Sequence, residues 1–95
     1  MEIETVRHKA LRAYIETGAP RGLDARIAGR IRSIVAFLAA AESVDELNVP
    51  PNFGFHWQKG DRAGTAAMTL TKNWRLTFKV NDSNAIIDLN LEDYH

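Results

Sequence analysis

The hydrophobic pattern of this 95-residue chain changes its period at Pro50 and Pro51. Before the two prolines, apolar residues recur every three or four positions, which is the spacing of one face of a helix. After them, apolar and polar residues alternate one by one, which is the spacing of a half-buried strand. Because proline disfavours the helical conformation in the residue before it, the pair separates a helical half of the chain from a sheet half.

The helical half contains two amphipathic segments. The first is a short helix with Leu11, Tyr14 and Ile15 on its apolar face, and Gly18 is expected to end it. The second begins after Asp24, the expected N-cap. Its apolar stripe consists of Ile27, Ile31, Ile34, Val35 and Leu38. A capping-box spacing in the stretch "SVDE" predicts one more helical turn before the prolines.

The sheet half contains four alternating runs. They begin near Phe53, Ala66, Trp74 and Ile87, and turns rich in Gly, Asn and Asp lie between them. The N-terminal stretch "IETV" is a candidate edge strand. We therefore expect an α+β fold in a single domain, residues 1–95. Two N-terminal helices should pack on one face of a twisted, mainly antiparallel sheet of three to five strands.

Strand alternation assigns the side chains of this sheet to two faces. The predicted core face carries Trp57, Trp74, Leu76, Phe78, Leu89 and Leu91. The opposite face, which we name the open face, carries His56, Arg75, Thr77, Lys79, Asn90, Glu92 and Tyr94. Polar residues are also normal on a solvated sheet face, so the alternation alone leaves open whether this face is a functional site.

Composition narrows the class of protein. Because the chain has no cysteine, it contains no disulfide, no thiolate metal ligand and no cysteine nucleophile. Its three histidines lack metal-ligand spacing, and we expect neither a metal nor another cofactor. The charged N-terminus does not resemble a signal peptide, and no apolar run reaches the ~18 residues of a membrane span. We expect a cytoplasmic protein without a membrane partner.

The net charge is zero, but the charges are unevenly distributed. Residues 7–32 contain seven Lys or Arg against two acidic residues, and residues 54–80 contain five against one. Residues 81–95 contain four acidic residues and no Lys or Arg. The two basic segments are compatible with an anion-binding face and with an ordinary solvated surface. One alternative function is therefore a non-enzymatic module whose basic helices bind an acidic protein.

Three stretches, in this order along the chain, resemble one known family. They are "GFHWQKGDRAGT", "TKNWRLTF" and "DLNLEDYH". They are similar to the HigB-like toxins of the RelE/ParE superfamily, in which a "HPLKGDRKG"-like stretch precedes "NWRITF" and "DYH". The similarity runs from about Arg7 to His95. It implies the fold derived above and the toxin component of a type II toxin–antitoxin system, an endoribonuclease that cleaves messenger RNA on the ribosome.

The resemblance, carried over position by position, implies six catalytic residues. They are His56, Lys59, Arg75, Asp93, Tyr94 and His95. In metal-free cleavage the 2′-OH of the RNA attacks the adjacent phosphate, which leaves a 2′,3′-cyclic phosphate and a 5′-hydroxyl. We expect His56 and His95 to be the proton-transfer pair, in either direction, because imidazole titrates near neutral pH.

The other four residues have supporting roles in this hypothesis. Asp93 either orients the neighbouring histidine or is itself the base. Arg75 and Lys59 hold the scissile phosphate, the arginine through two parallel N–H groups and the lysine as a point charge. Tyr94 stacks on a base or positions the 2′-OH.

The expected partners also follow from the resemblance. Five further cations are expected to bind RNA or the ribosome: Arg26, Arg30, Arg62, Lys72 and Lys79. The macromolecular partners are messenger RNA, the ribosomal A site and a HigA-like helix-turn-helix antitoxin, and operator DNA is reached only through the antitoxin. A ParE-like toxin that acts on DNA gyrase remains an alternative, although such a toxin needs the fold and not the "DYH" end.

Overall fold

The computed structural model describes residues 1–93, and within them three helices precede a four-stranded sheet. The helices are α1 (Lys9–Thr17), α2 (Ala25–Ala40) and α3 (Val44–Leu47). The strands are β1 (His56–Trp57), β2 (Ala66–Thr69), β3 (Trp74–Val80) and β4 (Ile86–Asp93), and a 3₁₀ turn, Gly60–Arg62, connects β1 to β2. Every neighbouring pair is antiparallel, in the order β1-β2-β3-β4. The predicted α+β fold is confirmed.

Local sequence signals set both ends of α1 and the start of α2. The Nδ1 atom of His8 accepts a hydrogen bond from the backbone N–H of Leu11 at 3.2 Å and so caps α1. Gly18 ends the helix with a φ of +78°, which glycine adopts without steric penalty. Asp24 caps α2 as predicted, because its Oδ1 accepts from the backbone N–H of Arg26 at 2.8 Å.

The core lies between the helices and one face of the sheet. Its fully buried members from the helices include Leu11, Ile31, Ile34 and Leu38, and those from the sheet include Met68, Leu76, Phe78 and Leu89. Burying a side chain of this size stabilises the fold by about 1.5–3 kcal/mol relative to leaving it in water. The predicted core face of β3 and β4 is thus confirmed for Leu76, Phe78, Leu89 and Leu91, and Trp74 is half-buried against this core.

The prediction that Trp57 belongs to the core is wrong, because 44% of this residue is exposed. The strand that contains it is shorter than the alternation predicted. Phe53 (φ +48°) and Gly54 (φ +71°) adopt left-handed backbone conformations, which an extended strand does not accommodate. Only two residues of β1 remain, at the edge of the sheet. The ring of Trp57 forms a T-shaped contact with the ring of Phe55, with 5.6 Å between the centroids.

A β-bulge interrupts the alternation of β4. The pairing passes from Thr77–Asn90 to Lys79–Ile87, so two residues of β4 lie opposite one residue of β3. Asp88 lies at this point with a φ of +55°. Because the bulge shifts the phase of the strand, Ile87 is only half-buried, although strict alternation places it in phase with the buried residues of β4.

The N-terminal segment lies along β4. It forms two isolated parallel bridges, Ile3–Ile86 and Val6–Leu89, rather than the continuous edge strand that the sequence suggested. Within residues 1–93, no helix combines the length and the apolar character that crossing a membrane requires.

Candidate active site

Strand register brings distant polar residues onto the open face. Arg75 lies opposite Glu92, and Thr77 lies two residues further along β3. His56 is opposite Ala67, and Ala67 is opposite Thr77, so these residues form one row across three strands. Residues in register on neighbouring strands point to the same side, which confirms that His56, Arg75 and Glu92 share a face.

The local backbone fixes the imidazole of His56. Its Nδ1 atom lies 3.0 Å from the carbonyl oxygen of Gly54. A carbonyl only accepts, so Nδ1 carries hydrogen and Nε2 is the nitrogen that can exchange a proton with a substrate. Gly54 itself lies against β2, because a Cβ there would come 2.8 Å from Thr69 Oγ1. The carbonyl of Phe53 accepts from the N–H of Thr69 at 2.8 Å, which ties the segment to the sheet.

An ion-pair cluster centred on Glu92 covers part of the open face. Arg62 Nη1 and Nη2 donate to Glu92 Oε1 and Oε2 at 2.6 and 2.7 Å, a bidentate pair. The hydroxyl of Thr77 donates to Oε2 of the same carboxylate. Arg75 Nη2 lies 3.6 Å from Oε1. The carboxylate therefore contacts two guanidinium groups and one hydroxyl, which come from two segments, the 3₁₀ turn and β3.

Strand alternation alone does not predict this cluster. Alternation placed Glu92 on the open face, but its partner Arg62 is 30 residues away in a loop. The hydrogen bonds from that arginine are the main reason that the pKa of Glu92 is lowered to about 2; burial opposes the shift, and Thr77 and Arg75 add to it. The same hydrogen bonds raise the pKa of Arg62. Glu92 is therefore ionised at neutral pH and is a hydrogen-bond acceptor, not a general base.

The remaining predicted catalytic residues are close to members of this cluster in the sequence or lie beyond the described part of the chain. Lys59 is exposed and immediately precedes the 3₁₀ turn. Asp93 is the last residue of β4 and is in register with Trp74. Tyr94 and His95 lie outside the described residues. The sheet thus places His56 and Arg75 on the same face, two strands apart, whereas Asp93 is in register with Trp74 of the core face.

Two of the predicted RNA- or ribosome-binding cations lie at the β2–β3 turn. Arg26 and Lys72 line the same shallow cavity of about 180 Å³. Arg26 also forms an exposed ion pair with Asp24, with a closest N–O distance of 2.6 Å, and its hydrogen bonds lower the pKa of that aspartate to about 2. Part of the Arg26 guanidinium is therefore paired with Asp24, the residue that caps α2.

The other three cations differ in their surroundings. Arg30 Nε donates to the carbonyl of Thr69 at 3.0 Å, and its guanidinium lies 5.2 Å from the centre of the Phe53 ring, so it ties α2 to the sheet. Lys79 is exposed and lines a small cavity of about 30 Å³ on the open face. Arg62 and Arg7 line the same cavity, and no sequence motif predicts the position of Arg7 there.

The open face offers groups suited to an anionic substrate. An imidazole with one fixed nitrogen, the guanidinium of Arg75 and the ammonium of Lys59 are groups that can move a proton and balance the charge of a phosphodiester. Among residues 1–93, no three His, Asp or Glu side chains lie together as possible metal ligands. The expectation that no metal takes part stays a prediction.

Comparison with known proteins identifies relatives over the full length of the chain. An endoribonuclease HigB of Proteus vulgaris is 37% identical over 93 residues, which cover 98% of this chain and 99% of that protein. Two solved structures share the fold at low sequence identity. YafQ from E. coli has a TM-score of 0.55 at 11% identity and covers 98% of this chain and 93% of its own.

A second solved structure, a YoeB/ParE toxin from Agrobacterium tumefaciens, has a TM-score of 0.52 at 18% identity and covers 100% of this chain and 99% of its own. Residues 4–95 match the HigB-like toxins, described as the RelE-like toxin of the type II toxin–antitoxin system HigB. With this match and the 37% identical relative, the chain belongs to the HigB-like toxin family of type II toxin–antitoxin systems.

Proposed function

We propose that this protein is an endoribonuclease that cleaves messenger RNA on the ribosome and thereby inhibits translation. The observation that carries the proposal is the 37% identity to the Proteus vulgaris endoribonuclease HigB over 98% of the chain. The polar constellation on the open face supports it, because the groups on that face match the needs of phosphodiester cleavage through the 2′-OH.

In this mechanism two groups move protons. One of His56 and His95 removes the proton of the 2′-OH, and the other protonates the departing 5′-oxygen. The contact between Nδ1 of His56 and the Gly54 carbonyl assigns proton transfer to Nε2. Asp93 orients His95 or acts as the base itself. A positioned acid or base of this kind contributes about 10²–10⁴-fold to the rate.

The remaining groups bind the reacting phosphate and the adjacent base. Arg75 and Lys59 balance the charge that grows on the phosphate during the attack. Tyr94 stacks on a base or positions the 2′-OH. The products are a 2′,3′-cyclic phosphate and a 5′-hydroxyl. No metal or other cofactor is part of this mechanism.

Ribosome binding in this proposal uses the exposed cations. Lys79 extends the open face, and Arg26 and Lys72 form a second basic site around one cavity. Arg30 and Arg62 were predicted to bind RNA as well, but their contacts with Thr69 and Glu92 favour a role within the protein. Since phosphate contacts release counterions, binding should weaken steeply as salt rises.

Family membership implies an antitoxin partner, because the family is the toxin component of a two-protein system. We propose that the partner is a HigA-like helix-turn-helix protein and that operator DNA is bound only through it. Co-purification with the product of the neighbouring reading frame tests this partnership.

The decisive experiment compares cleavage of one message in three settings. Purified protein is incubated with free message, with message on initiated ribosomes and with message that lacks its start codon in the presence of ribosomes. We expect cleavage only on the translated message, with a 5′-hydroxyl on the downstream fragment. Equal cleavage of free message contradicts ribosome dependence. Inhibition of gyrase with no cleavage in any setting would instead favour the gyrase-directed alternative.

A further inference from the structure

Glu92 connects parts of the candidate active site that are far apart in the sequence. Its carboxylate accepts hydrogen bonds from Arg62, at the end of the 3₁₀ turn, and from Thr77 on β3. It also lies 3.6 Å from a guanidinium nitrogen of Arg75. In the sequence it immediately precedes Asp93, the first residue of the "DYH" stretch. One side chain thus joins the loop, the central strand and the last strand.

The geometry differs from that of an ordinary surface salt bridge. The side chain of Glu92 is only 18% exposed and that of Arg75 only 17%. Thr77 is buried at 2%, although it points to the face without helices. The bidentate pair is shielded on the glutamate side only, because the Arg62 side chain is 41% exposed. Two parallel hydrogen bonds to a shielded carboxylate still hold their geometry better than a single exposed contact.

The pair also holds the loop that carries Lys59. The two ends of this loop meet on the sheet, where the N–H of Gln58 donates to the carbonyl of Thr65 at 2.8 Å. The N–H of Thr65 donates to the carbonyl of Arg62 at 2.9 Å. Arg62 then extends from the loop to Glu92. The Arg62–Glu92 pair therefore anchors the loop at a point only three residues after the exposed Lys59.

We propose that Arg62 and Glu92 form a positioning clamp that holds the Lys59 loop and the Arg75 guanidinium in place for phosphate binding. The proposal rests on the proposed function, since it concerns residues assigned to RNA cleavage. Neither member of the clamp contacts the reacting atoms. Arg62 is a positioning residue, which replaces the expectation that it binds RNA directly. Because Glu92 stays ionised, it also offsets one of the two positive charges beside it.

The clamp and simple electrostatics predict different results when the charge of Glu92 is removed. Glu92→Gln removes a negative charge from an RNA-binding face, so charge alone should tighten RNA binding and leave cleavage intact. Loss of the clamp should instead slow cleavage, because a displacement of about 1 Å in a positioning group can reduce a rate by about 10²-fold. Affinity and rate at saturation therefore separate the two interpretations.

The experiment uses the variants Glu92→Gln, Glu92→Asp, Arg62→Gln, Arg62→Lys and the double variant Arg62→Gln/Glu92→Gln. Glu16→Gln, an exposed substitution on α1, is the matched control. Three quantities are measured: the single-turnover cleavage rate at saturating ribosome–message complex, the affinity for that complex, and the hydrogen exchange of the backbone amides in residues 58–65.

We expect the two single Gln variants to cleave about tenfold to a hundredfold more slowly at saturation, with affinity changed less than about threefold. The double variant should be no slower than the slower single variant, because both substitutions remove the same pair. Glu92→Asp and Arg62→Lys should have intermediate rates, since they keep the charge but lose the bidentate geometry. Exchange in residues 58–65 should increase in the Gln variants and stay unchanged in Glu16→Gln.

Three outcomes overturn the clamp. The first is an unchanged saturating rate in Glu92→Gln. The second is an Arg62→Gln variant that loses affinity and keeps its saturating rate, which makes Arg62 an RNA contact. The third is unchanged amide exchange in residues 58–65. If the wild-type protein cleaves no message at all, the proposed function fails by itself, and the exchange measurement still decides whether the pair holds the loop.

Discussion

Arg75 and Glu92 lie opposite each other on β3 and β4, with Arg75 Nη2 3.6 Å from Glu92 Oε1. The shorter contacts of that carboxylate go to Arg62. The guanidinium of Arg75 thus lies beside the Glu92 carboxylate, which already forms a bidentate pair with Arg62. This arrangement places a cation on the open face without leaving the glutamate unpaired in a shielded position.

Arg75→Ala should abolish message cleavage and preserve the fold. The side chain lies on the opposite face from the core residue Leu76, so its loss leaves the apolar packing unchanged. We expect the free energy of unfolding to fall by about 1–2 kcal/mol, because the mostly shielded guanidinium lies beside Glu92, whose shorter contacts to Arg62 remain. Cleavage and thermal unfolding are measured on the same preparation, with Arg75→Lys as the control that keeps the charge but loses the bidentate fork. Collapse of the melting temperature would make Arg75 structural.

His56→Asn should slow cleavage by about 10²–10⁴-fold, because the amide can replace the contact of Nδ1 with the Gly54 carbonyl but cannot exchange protons near neutral pH. His8→Asn is the matched control, since asparagine also caps helices well. That control should retain both cleavage and stability. Equal rates for His56→Asn and the wild-type protein would remove His56 from the mechanism.

His95→Ala should reduce cleavage by at least about tenfold and up to about a thousandfold, the scale of one acid–base group. This prediction follows from the family motif, because His95 lies outside the described residues. Growth arrest after matched induction of the wild-type and variant proteins measures the effect in cells. A variant as toxic as the wild type would transfer the proton-transfer role to His56 and Asp93.

The stabilising effect of Glu92 should disappear in acid. Its pKa is about 2 in the folded protein, lower than the value of about 4.3 for an unperturbed glutamate. Such a group stabilises the folded state at pH values above its unfolded pKa, and the stabilisation decreases as pH falls toward the folded pKa. Unfolding free energies of the wild type and Glu92→Gln should differ by about 1–3 kcal/mol at pH 7 and converge between about pH 5 and pH 2. A difference that stays constant over this range would contradict the lowered pKa.

Asp88→Val should destabilise the fold by about 1–2 kcal/mol, because a β-branched residue is strained at a φ of +55°. Asp88→Gly should be neutral or stabilising at the same position. Asp82→Val, in the exposed β3–β4 turn, is the control for loss of a carboxylate without a positive φ. Chemical denaturation of the three variants provides the comparison. Similar stability for the two valine variants would argue against strain at the bulge.

Several features of the fold could be predicted from short stretches of sequence. The change of hydrophobic period at Pro50 and Pro51 separates helices from strands, and Asp24 marks the start of α2. Alternation in "NWRLTF" places Leu76 in the core and Arg75 on the open face. These features depend on neighbours within about four residues, where the geometry of a helix or strand is nearly constant.

Other features were decided only by the tertiary structure. Trp57 alternates correctly with its neighbours but lies on a two-residue strand at the edge of the sheet, where 44% of the residue is exposed. The bulge at Asp88 changes the phase of β4, and alternation alone contains no signal for an inserted residue. The pair between Arg62 and Glu92 joins residues 30 positions apart. Which distant groups meet depends on strand register and loop path, because the sequence specifies the face of each side chain but not its partner across the sheet.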